Sequence, residues 1–191
     1  MNKKSSPLLH SIGKKTLLRP FNGEKDIDLT VKWQNDPEIR DLTLMTLPLT
    51  RDQQSKWAEQ IAASDSDEGF IIETLDNKTI GYIGLHKINW VDRTATTSCY
   101  IGDKNYWGKG CGTDAKMQLA KFAFLDINLR KLNAEAVEYN MPSVAHNQKI
   151  GFKVEGRKEK QVFVKGQYWD LILLGLFRED WELKYKKWKN Q

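Results

Sequence analysis

The sequence has few of the residues that build metal clusters, disulfide frameworks or hydrolase active sites. Its 191 residues include two cysteines, Cys99 and Cys111, and three histidines. No CxxC, HExxH or GxSxG motif occurs, so zinc-site, metalloprotease and serine-hydrolase interpretations have no support. Two isolated cysteines are typical of a reducing compartment rather than of a disulfide framework. We therefore predict a cytoplasmic protein that holds no metal.

Long apolar runs are also missing. No stretch approaches the roughly 18 apolar residues of a membrane span, and the basic start lacks the apolar segment of a signal peptide. We therefore expect no membrane partner. The length suits a single domain with a sizeable core.

The net charge of +5 does not predict nucleic-acid binding, because the excess lysines lie at the two ends. They are Lys3, Lys4, Lys14, Lys15, Lys184, Lys186, Lys187 and Lys189, and removing these eight charges from +5 leaves −3 for the rest. A nucleic-acid binder carries a basic stripe on its folded surface. We predict a disordered basic tail over 1–14, a single domain over 15–182, a basic tail over 183–191, and no nucleic-acid partner. The C-terminal segment over 179–189 is predicted to be helical.

A glycine-rich segment lies between a predicted strand and a predicted helix. It reads Tyr-Trp-Gly-Lys-Gly-Cys-Gly-Thr at 106–113, with an apolar strand pattern before it and apolar residues at helical spacing after it. The first N–H groups of a helix have no intrahelical partner, and the helix dipole favours anions there. Alternate glycines let the backbone approach an anion closely. The segment therefore predicts a site for a phosphate-bearing ligand.

Two familiar phosphate motifs fit this segment poorly. A Walker A loop has glycine where this chain has Asp103, and Ser or Thr where it has Gly110. A dinucleotide fingerprint fits formally as Gly110-x-Gly112-x-x-Ala115, with Glu138 near the end of the next strand. However, the upstream segments predict hairpins rather than the βαβ units of a dinucleotide fold. A dinucleotide-binding enzyme stays open as a distant alternative.

Three segments in order resemble the GNAT superfamily of N-acetyltransferases, in particular its branch of ribosomal-protein-alanine acetyltransferases. The glycine-rich segment is similar to the acyl-CoA pyrophosphate loop of that family. Asn-Met-Pro-Ser at 140–143, followed by Lys-Ile-Gly-Phe at 149–152, resembles a second family segment, which follows the fifth strand. Lys-Gly-Gln-Tyr-Trp-Asp at 165–170, before an apolar strand, is similar to a third. The resemblance covers about residues 16–182.

The fold that the resemblance implies is α/β (α+β), with a mixed, largely antiparallel sheet flanked by helices and a cleft where the fourth and fifth strands separate. Turn residues at 76–78 predict a hairpin, and Thr50 with Gln53 predicts a capped helix to about residue 63. A helix between the predicted strands over 94–102 and 131–139 makes that pair parallel. Residues 26–35 alternate as a strand does, and only the resemblance favours a helix there.

Acetyl-CoA as co-substrate and a primary amine as acceptor also follow from the resemblance. The pyrophosphate would bind the loop N–H groups, and the pantetheine arm would follow the fourth strand, where a backbone N–H can stabilise the oxyanion. The predicted cofactor-binding residues are Cys99, Tyr100, Ile101, Trp107, Gly108, Lys109, Gly110, Cys111, Gly112, Thr113, Asn140, Ser143 and Asn147.

Glu138 and Ser143 are the predicted catalytic residues. The acceptor amine must lose a proton before it attacks, and Glu138, at the end of the fifth strand, is the predicted base. Ser143 is predicted to lie near the CoA sulphur. Many relatives carry a tyrosine four residues after this serine that protonates the departing thiolate, whereas this chain has Asn147, which is not an acid. Thr96 stands where relatives often place an acid.

His86 is predicted to be a packing residue, because no ligand-type residue accompanies it at metal-ligand spacing. The predicted function is transfer of an acetyl group to a protein N-terminus or to a small-molecule amine such as an amino sugar. A non-catalytic acyl-CoA-binding module is the alternative from another class. A monomer and a homodimer are both compatible with the sequence.

Overall fold

One mixed sheet runs through the computed structural model, which describes residues 11–45 and 47–190. Its strands are β1 Ser11–Ile12, β2 Thr16–Pro20, β3 Glu68–Thr74, β4 Thr79–Asn89, β5 Thr94–Ile101, β6 Lys131–Val137, β7 Lys153–Val164 and β8 Gln167–Phe177. Their order across the sheet is β1-β2-β3-β4-β5-β6-β8-β7. Only β5 and β6 pair in parallel among these described strands, which confirms the predicted mixed, largely antiparallel sheet. The predicted fourth and fifth strands are β5 and β6.

Helices cover both faces of the sheet. They are α1 Gly23–Gln34, α2 Pro37–Thr43, α3 Arg51–Ala63, α4 Cys111–Lys121, α5 Met141–Ile150 and α6 Arg178–Asn190. α1 and α3 pack on one face, with α2 against α1, and α4, α5 and α6 pack on the other. The predicted capping box forms at α3, where Thr50 and Gln53 each bond the other's backbone N–H.

α1 forms where the alternating pattern alone favoured a strand. Its buried positions are Asp26, Ile27, Thr30, Trp33 and Gln34, which is a helical stripe in which three members are polar. Each polar member is hydrogen-bonded: Asp26 pairs with Arg19, Thr30 donates to carbonyls of its own helix, and Gln34 donates to the Tyr100 hydroxyl. The apolar alternation was misleading because it ignored these buried polar residues.

The chain ends differ in part from the predicted tails. Ser11 and Ile12 pair with β2, while residues 1–10 lie outside the described residues. Residues 183–190 belong to α6, whose Trp181 is fully buried and stacks on Tyr185, with ring centroids 4.5 Å apart. Regular structure therefore extends into the predicted N-terminal tail, and α6 confirms the helix predicted over 179–189. The domain bounds 15–182 stay a prediction.

The cleft lies where β5 and β6 separate. Their register joins only residues 94–96 with 131–133, and beyond this point β5 continues to Ile101 beside β4 while β6 continues to Val137 beside β8. Successive side chains of β5 point to opposite faces. Ser98 therefore faces the α1–α3 side, and Cys99 faces α4. This gap confirms the predicted cleft.

Candidate active site

The glycine-rich loop between β5 and α4 has a backbone suited to an anion. Gly108 and Gly110 have φ values of 71° and 82°, in the left-handed region that side chains rarely adopt. A Cβ added to Gly108 would meet nothing within 4 Å, so this glycine faces open space. α4 begins after Gly110 without a side-chain cap, and the N–H groups of Gly112 and Thr113 have no acceptor within the described part of the chain. An anion is the natural partner for these groups.

Two lysines add positive charge to the loop. Lys15, which follows β1, donates from Nζ to the Lys109 carbonyl at 2.7 Å. Its Nζ also lies 3.3 Å from the place where a Cβ on Gly110 would stand. Burial raises the pKa of the Cys111 thiol, and Lys15 and Lys109 offset this rise only in part. Cys111 is therefore a neutral, buried thiol, and the two lysines supply the charge of the site.

Asp114 explains why Lys15 reaches the loop. This buried carboxylate on the first turn of α4 accepts the N–H groups of Lys14, Lys15 and Thr16 at 2.9–3.0 Å. It also accepts the Thr16 hydroxyl at 2.8 Å. Neither Lys15 nor Asp114 was predicted to belong to the site, because these partners lie about a hundred residues apart in the chain.

Trp107 and Tyr100, both predicted to bind the cofactor, direct their side chains into the protein. Trp107 donates from Nε1 to the Ile101 carbonyl at 2.7 Å and so closes the end of β5. The Tyr100 ring lies on the α1–α3 side, edge to face with Trp33, and its hydroxyl accepts from Gln34 at 3.0 Å. Only the backbone of Tyr100 borders the gap on the α4 side.

A buried polar group lies beneath the gap on the α4 side. Lys116 donates from Nζ to the Asn147 side-chain carbonyl at 2.6 Å, and Asn147 donates to the Ser143 carbonyl at 2.9 Å. The Ser143 N–H is in turn held by the Asn140 side chain, which caps α5. Burial lowers the pKa of Lys116 to about 8 and raises that of Cys99 to about 11. The structure thus brings four predicted residues together around an unpredicted lysine.

Lys116 was missed because the helix that contains it was assigned only an apolar side. Ala115 and Leu119 mark that side, and Lys116 lies next to Ala115 and one turn before Leu119. A lysine within a helix stripe that is otherwise buried was the available signal.

A second hydrogen-bonded chain lies on the opposite face of β5. His86 Nδ1 is 3.2 Å from an Asp67 oxygen, and His86 Nε2 is 2.7 Å from the Ser98 hydroxyl. Burial raises the pKa of Asp67, but hydrogen bonds led by those from Ser64 and Ser66 outweigh it and hold the pKa below its usual range. The sequence predicted only a packing role for His86. These contacts were not predictable because they depend on the register of β4 against β5.

Glu138 lies in the turn after β6. One carboxylate oxygen accepts the Asp170 N–H at 3.0 Å, and the other is 3.5 Å from an Arg157 nitrogen. Its carboxylate is therefore engaged with β7 and β8, apart from the hydrogen-bonded groups on β5. The predicted role of Glu138 as base stays a prediction, as does that of Ser143.

A cavity of about 250 Å³ opens between the end of α2 and the β7–β8 hairpin. It is lined by Arg40, Asp41, Leu44, Met45, Phe163, Val164 and Lys165. Asp41 and Lys165 form an ion pair within it. The Tyr139 hydroxyl donates to the Asp41 carbonyl, and Asn140 donates to the Leu42 carbonyl at 3.2 Å. These bonds place the cavity beside the start of α5.

The described residues contain no group of three or more His, Cys, Asp or Glu side chains arranged to hold a metal ion. A search of the helices over the same residues finds none that is long and apolar enough to cross a membrane.

Comparison with known proteins agrees with this geometry. The family model described as Acetyltransferase (GNAT) domain matches residues 15–153. The SPbeta prophage-derived uncharacterized N-acetyltransferase YokL of Bacillus subtilis is 28% identical, over 79% of this chain and 84% of that protein. The putative ribosomal N-acetyltransferase YdaF of the same species is 31% identical, over 66% of this chain and 67% of that protein.

Spermidine acetyltransferases are also similar. The spermidine N(1)-acetyltransferase of Escherichia coli is 31% identical, over 63% of this chain and 64% of that protein. The structure of spermidine N-acetyltransferase from Vibrio cholerae in complex with CoA and spermine has a TM-score of 0.81 and 20% identity, over 87% of this chain and 98% of that chain. At this identity the structural likeness supports the fold alone.

Proposed function

Because the chain belongs to the GNAT acetyltransferase family and is an acetyl-CoA-dependent N-acetyltransferase, we propose that its acceptor is the N-terminal amine of a peptide or protein. The observation that carries this proposal is the largely apolar cavity beside the start of α5. Its lining includes two basic side chains and one acidic side chain, and the acidic one is already paired with Lys165.

The loop residues fit the pyrophosphate of acetyl-CoA. An uncapped helix start, two glycines with positive φ, and the side chains of Lys15 and Lys109 would hold it. The bound co-substrate supplies the activated acetyl group. β5 beyond Thr96 has a backbone edge that β6 does not pair, and an N–H of this edge would stabilise the oxyanion.

The cavity suits an acceptor with an apolar group next to its amine. Leu44, Met45, Phe163 and Val164 provide the apolar walls. A peptide N-terminus carries a single amine, an adjacent side chain and backbone carbonyls, and such a body matches an apolar pocket with a few polar groups. A polyamine carries several cations and would need several unpaired carboxylates.

His86 is the proposed proton acceptor, through Ser98. With Asp67 ionised, His86 would hold a proton on Nδ1 and accept at Nε2. The amine proton would pass to the Ser98 oxygen while the Ser98 proton passes to His86. Ser98 lies two residues beyond the last β5 residue that pairs with β6, so it borders the cleft. Asp67 then stabilises the imidazolium that forms.

A polyamine is the second candidate acceptor. Its support comes from the spermidine acetyltransferases among the relatives and from the slightly acidic body of the chain. The amino sugar considered from the sequence has no comparable support.

Steady-state kinetics with acetyl-CoA would separate these acceptors. The panel would contain a short peptide amide with an apolar first residue, the same peptide with a blocked N-terminus, and spermidine. We expect turnover of the free peptide, none of the blocked peptide, and a kcat/KM for spermidine at least about tenfold lower, a difference of about 1.4 kcal/mol. A preference for spermidine would overturn the peptide assignment.

A matched pair of variants locates the acceptor. Phe163→Ala, in the cavity, should raise the KM for the peptide with little change in kcat, while Val91→Ala, in an exposed turn, should change neither. Calorimetry would check that both variants still bind acetyl-CoA. Saturable acetyl-CoA binding without turnover of any amine by the wild type would favour the non-catalytic module.

A further inference from the structure

Lys116 is a buried lysine without a counter-charge. Lys116 is only 3% exposed. No acidic side chain among the described residues forms an ion pair with it. Its hydrogen bond goes to a neutral acceptor, the Asn147 carbonyl, and its Nζ lies 4.9 Å from the centre of the Phe152 ring. Burying an ammonium group without an anion is costly, and such groups cluster at functional sites.

The groups around Lys116 do not offset its charge. β5 contributes the Cys99 thiol, whose raised pKa keeps it protonated at neutral pH. α5 contributes His146 and Asn147, and burial, followed by the charge of Lys116, lowers the pKa of His146 to about 4. An anion that arrives during the reaction would find a preformed cationic partner here.

The position of Lys116 relates it to the co-substrate. α4 starts at the proposed pyrophosphate loop, and Lys116 lies five residues after Cys111, or roughly 7.5 Å along the helix axis. Its ammonium lies between α5 and β5, beneath the gap where β5 and β6 have separated. A pantetheine arm that runs from the loop along β5 brings its sulphur towards Cys99 and Asn147. The CoA thiolate would then be the anion that forms at this place.

We propose that Lys116 is the general acid of acetyl transfer and donates a proton from Nζ to the sulphur of the departing CoA. This proposal rests on the acetyltransferase activity and is independent of the peptide acceptor. The amine nitrogen forms a bond to the acetyl carbon, the carbon–sulphur bond breaks, and its electron pair stays on sulphur. The Lys116 proton then neutralises the thiolate, the amine proton leaves through Ser98 and His86, and Lys116 regains a proton from solvent.

The proton affinities of donor and acceptor are matched. Burial lowers the pKa of Lys116 to about 8, and an ordinary alkyl thiol has a pKa of about 8.5. Proton transfer between groups of similar pKa is favourable for general acid catalysis near neutral pH. Asn147 orients the ammonium group, although it is not itself an acid.

Lys116→Met tests the proposal, with Lys121→Met as its control on the same helix. Lys121 is exposed, so its replacement should leave every readout unchanged. With any amine that the wild type acetylates, Lys116→Met should lower kcat by about 10²-fold or more. The affinity for acetyl-CoA should stay within about threefold by calorimetry, since the loop is intact. The melting temperature should rise, because an unpaired buried charge is removed.

Ionisation of bound CoA provides a readout that needs no acceptor. The ultraviolet absorbance of the thiolate, followed against pH, should give a lower pKa for CoA bound to the wild type than for CoA bound to Lys116→Met. Equal thiol pKa values together with unchanged kcat would show that Lys116 has only a structural role. Loss of acetyl-CoA binding in Lys116→Met would make it a binding residue and overturn the assignment. If the thiol pKa of bound CoA differs between the wild type and Lys116→Met but no peptide is acetylated, Lys116 would stand as the general acid and the peptide acceptor would be refuted.

Discussion

The two faces of β5 hold polar chains that differ in their access to water. Cys99 faces the α4 side, where Lys116 and Asn147 are buried and no carboxylate among the described residues pairs with the lysine. Ser98, the preceding residue, faces the other side, where His86 and Asp67 are about one quarter exposed. Two adjacent residues of β5 therefore face different groups, a buried lysine on one side and a partly exposed imidazole paired with a carboxylate on the other.

In the mechanism that we propose, the two faces of the same sheet carry out opposite proton transfers. On the dry side, burial disfavours the ammonium form and makes Lys116 a proton donor near neutral pH. On the hydrated side, the Asp67 carboxylate stays ionised and stabilises a proton arriving on His86. In that mechanism the different environments, rather than the residue types alone, distinguish the acid from the base.

The largest expected effect comes from removing the proton acceptor on the hydrated face. His86→Gln should lower kcat/KM by about 10²- to 10⁴-fold, because the amine proton would lose its acceptor. Steady-state kinetics measures this, and circular dichroism would confirm that the fold is kept. Wild-type activity of His86→Gln would show that His86 does not accept the amine proton, and the proposed difference in function between the two faces would be wrong.

The pH dependence of the free energy of unfolding tests whether Lys116, on the α4 side of β5, has a lowered pKa. Lys116 has a folded pKa of about 8, below the unfolded value of about 10.4, so the unfolded state binds more protons between these pH values. The free energy of unfolding of the wild type should therefore rise relative to Lys116→Met as the pH increases from 8 to 10. The gain is on the order of 2–3 kcal/mol, measured by urea unfolding at each pH. A constant difference would mean that Lys116 keeps an ordinary pKa.

A smaller effect should follow from weakening the support of His86. Asp67→Asn should lower kcat by roughly tenfold, because an amide stabilises the imidazolium less than a carboxylate does. Asp65→Asn, at an exposed position in the same loop, provides the control. Equal activities of the two variants would show that His86 acts without Asp67.

The smallest effect is expected at Glu138. Glu138→Gln removes an ion pair with Arg157, whose side chain is half exposed, and such pairs contribute about 0–1 kcal/mol. We expect kcat/KM to change by less than about threefold. Loss of turnover with acetyl-CoA binding intact would instead establish Glu138 as the base, as the sequence predicted.

The hairpin of β3 and β4 and the glycine-rich loop were predictable because their signals are local, whereas the fold class was predicted from the family resemblance. The loop is one continuous segment, and the start of α4 follows directly from it. The alternation of apolar residues within α1 wrongly favoured a strand, because it leaves out three buried polar residues. Asp26 and Gln34 bond side chains of other elements, and Thr30 bonds carbonyls of its own helix.

The proton-transfer groups depend on contacts between distant parts of the chain. Asp67 and His86 are 19 residues apart, and Lys116 and Asn147 are 31 apart. The register of β4 against β5 sets His86 beside Ser98, and the packing of α4 against α5 removes Lys116 from water. No pattern of residues along the chain encodes these distances.

By itself, the sequence determined the hairpin of β3 and β4, the capped start of α3 and the position of the glycine-rich loop before α4, because these depend on backbone preferences within a few residues. Only the tertiary structure decided which side of β5 is dry and which polar groups meet there. It also decided that the Glu138 carboxylate lies against Arg157 and Asp170. The physical reason is that burial and charge pairing, which set proton affinity, arise when separate segments pack together.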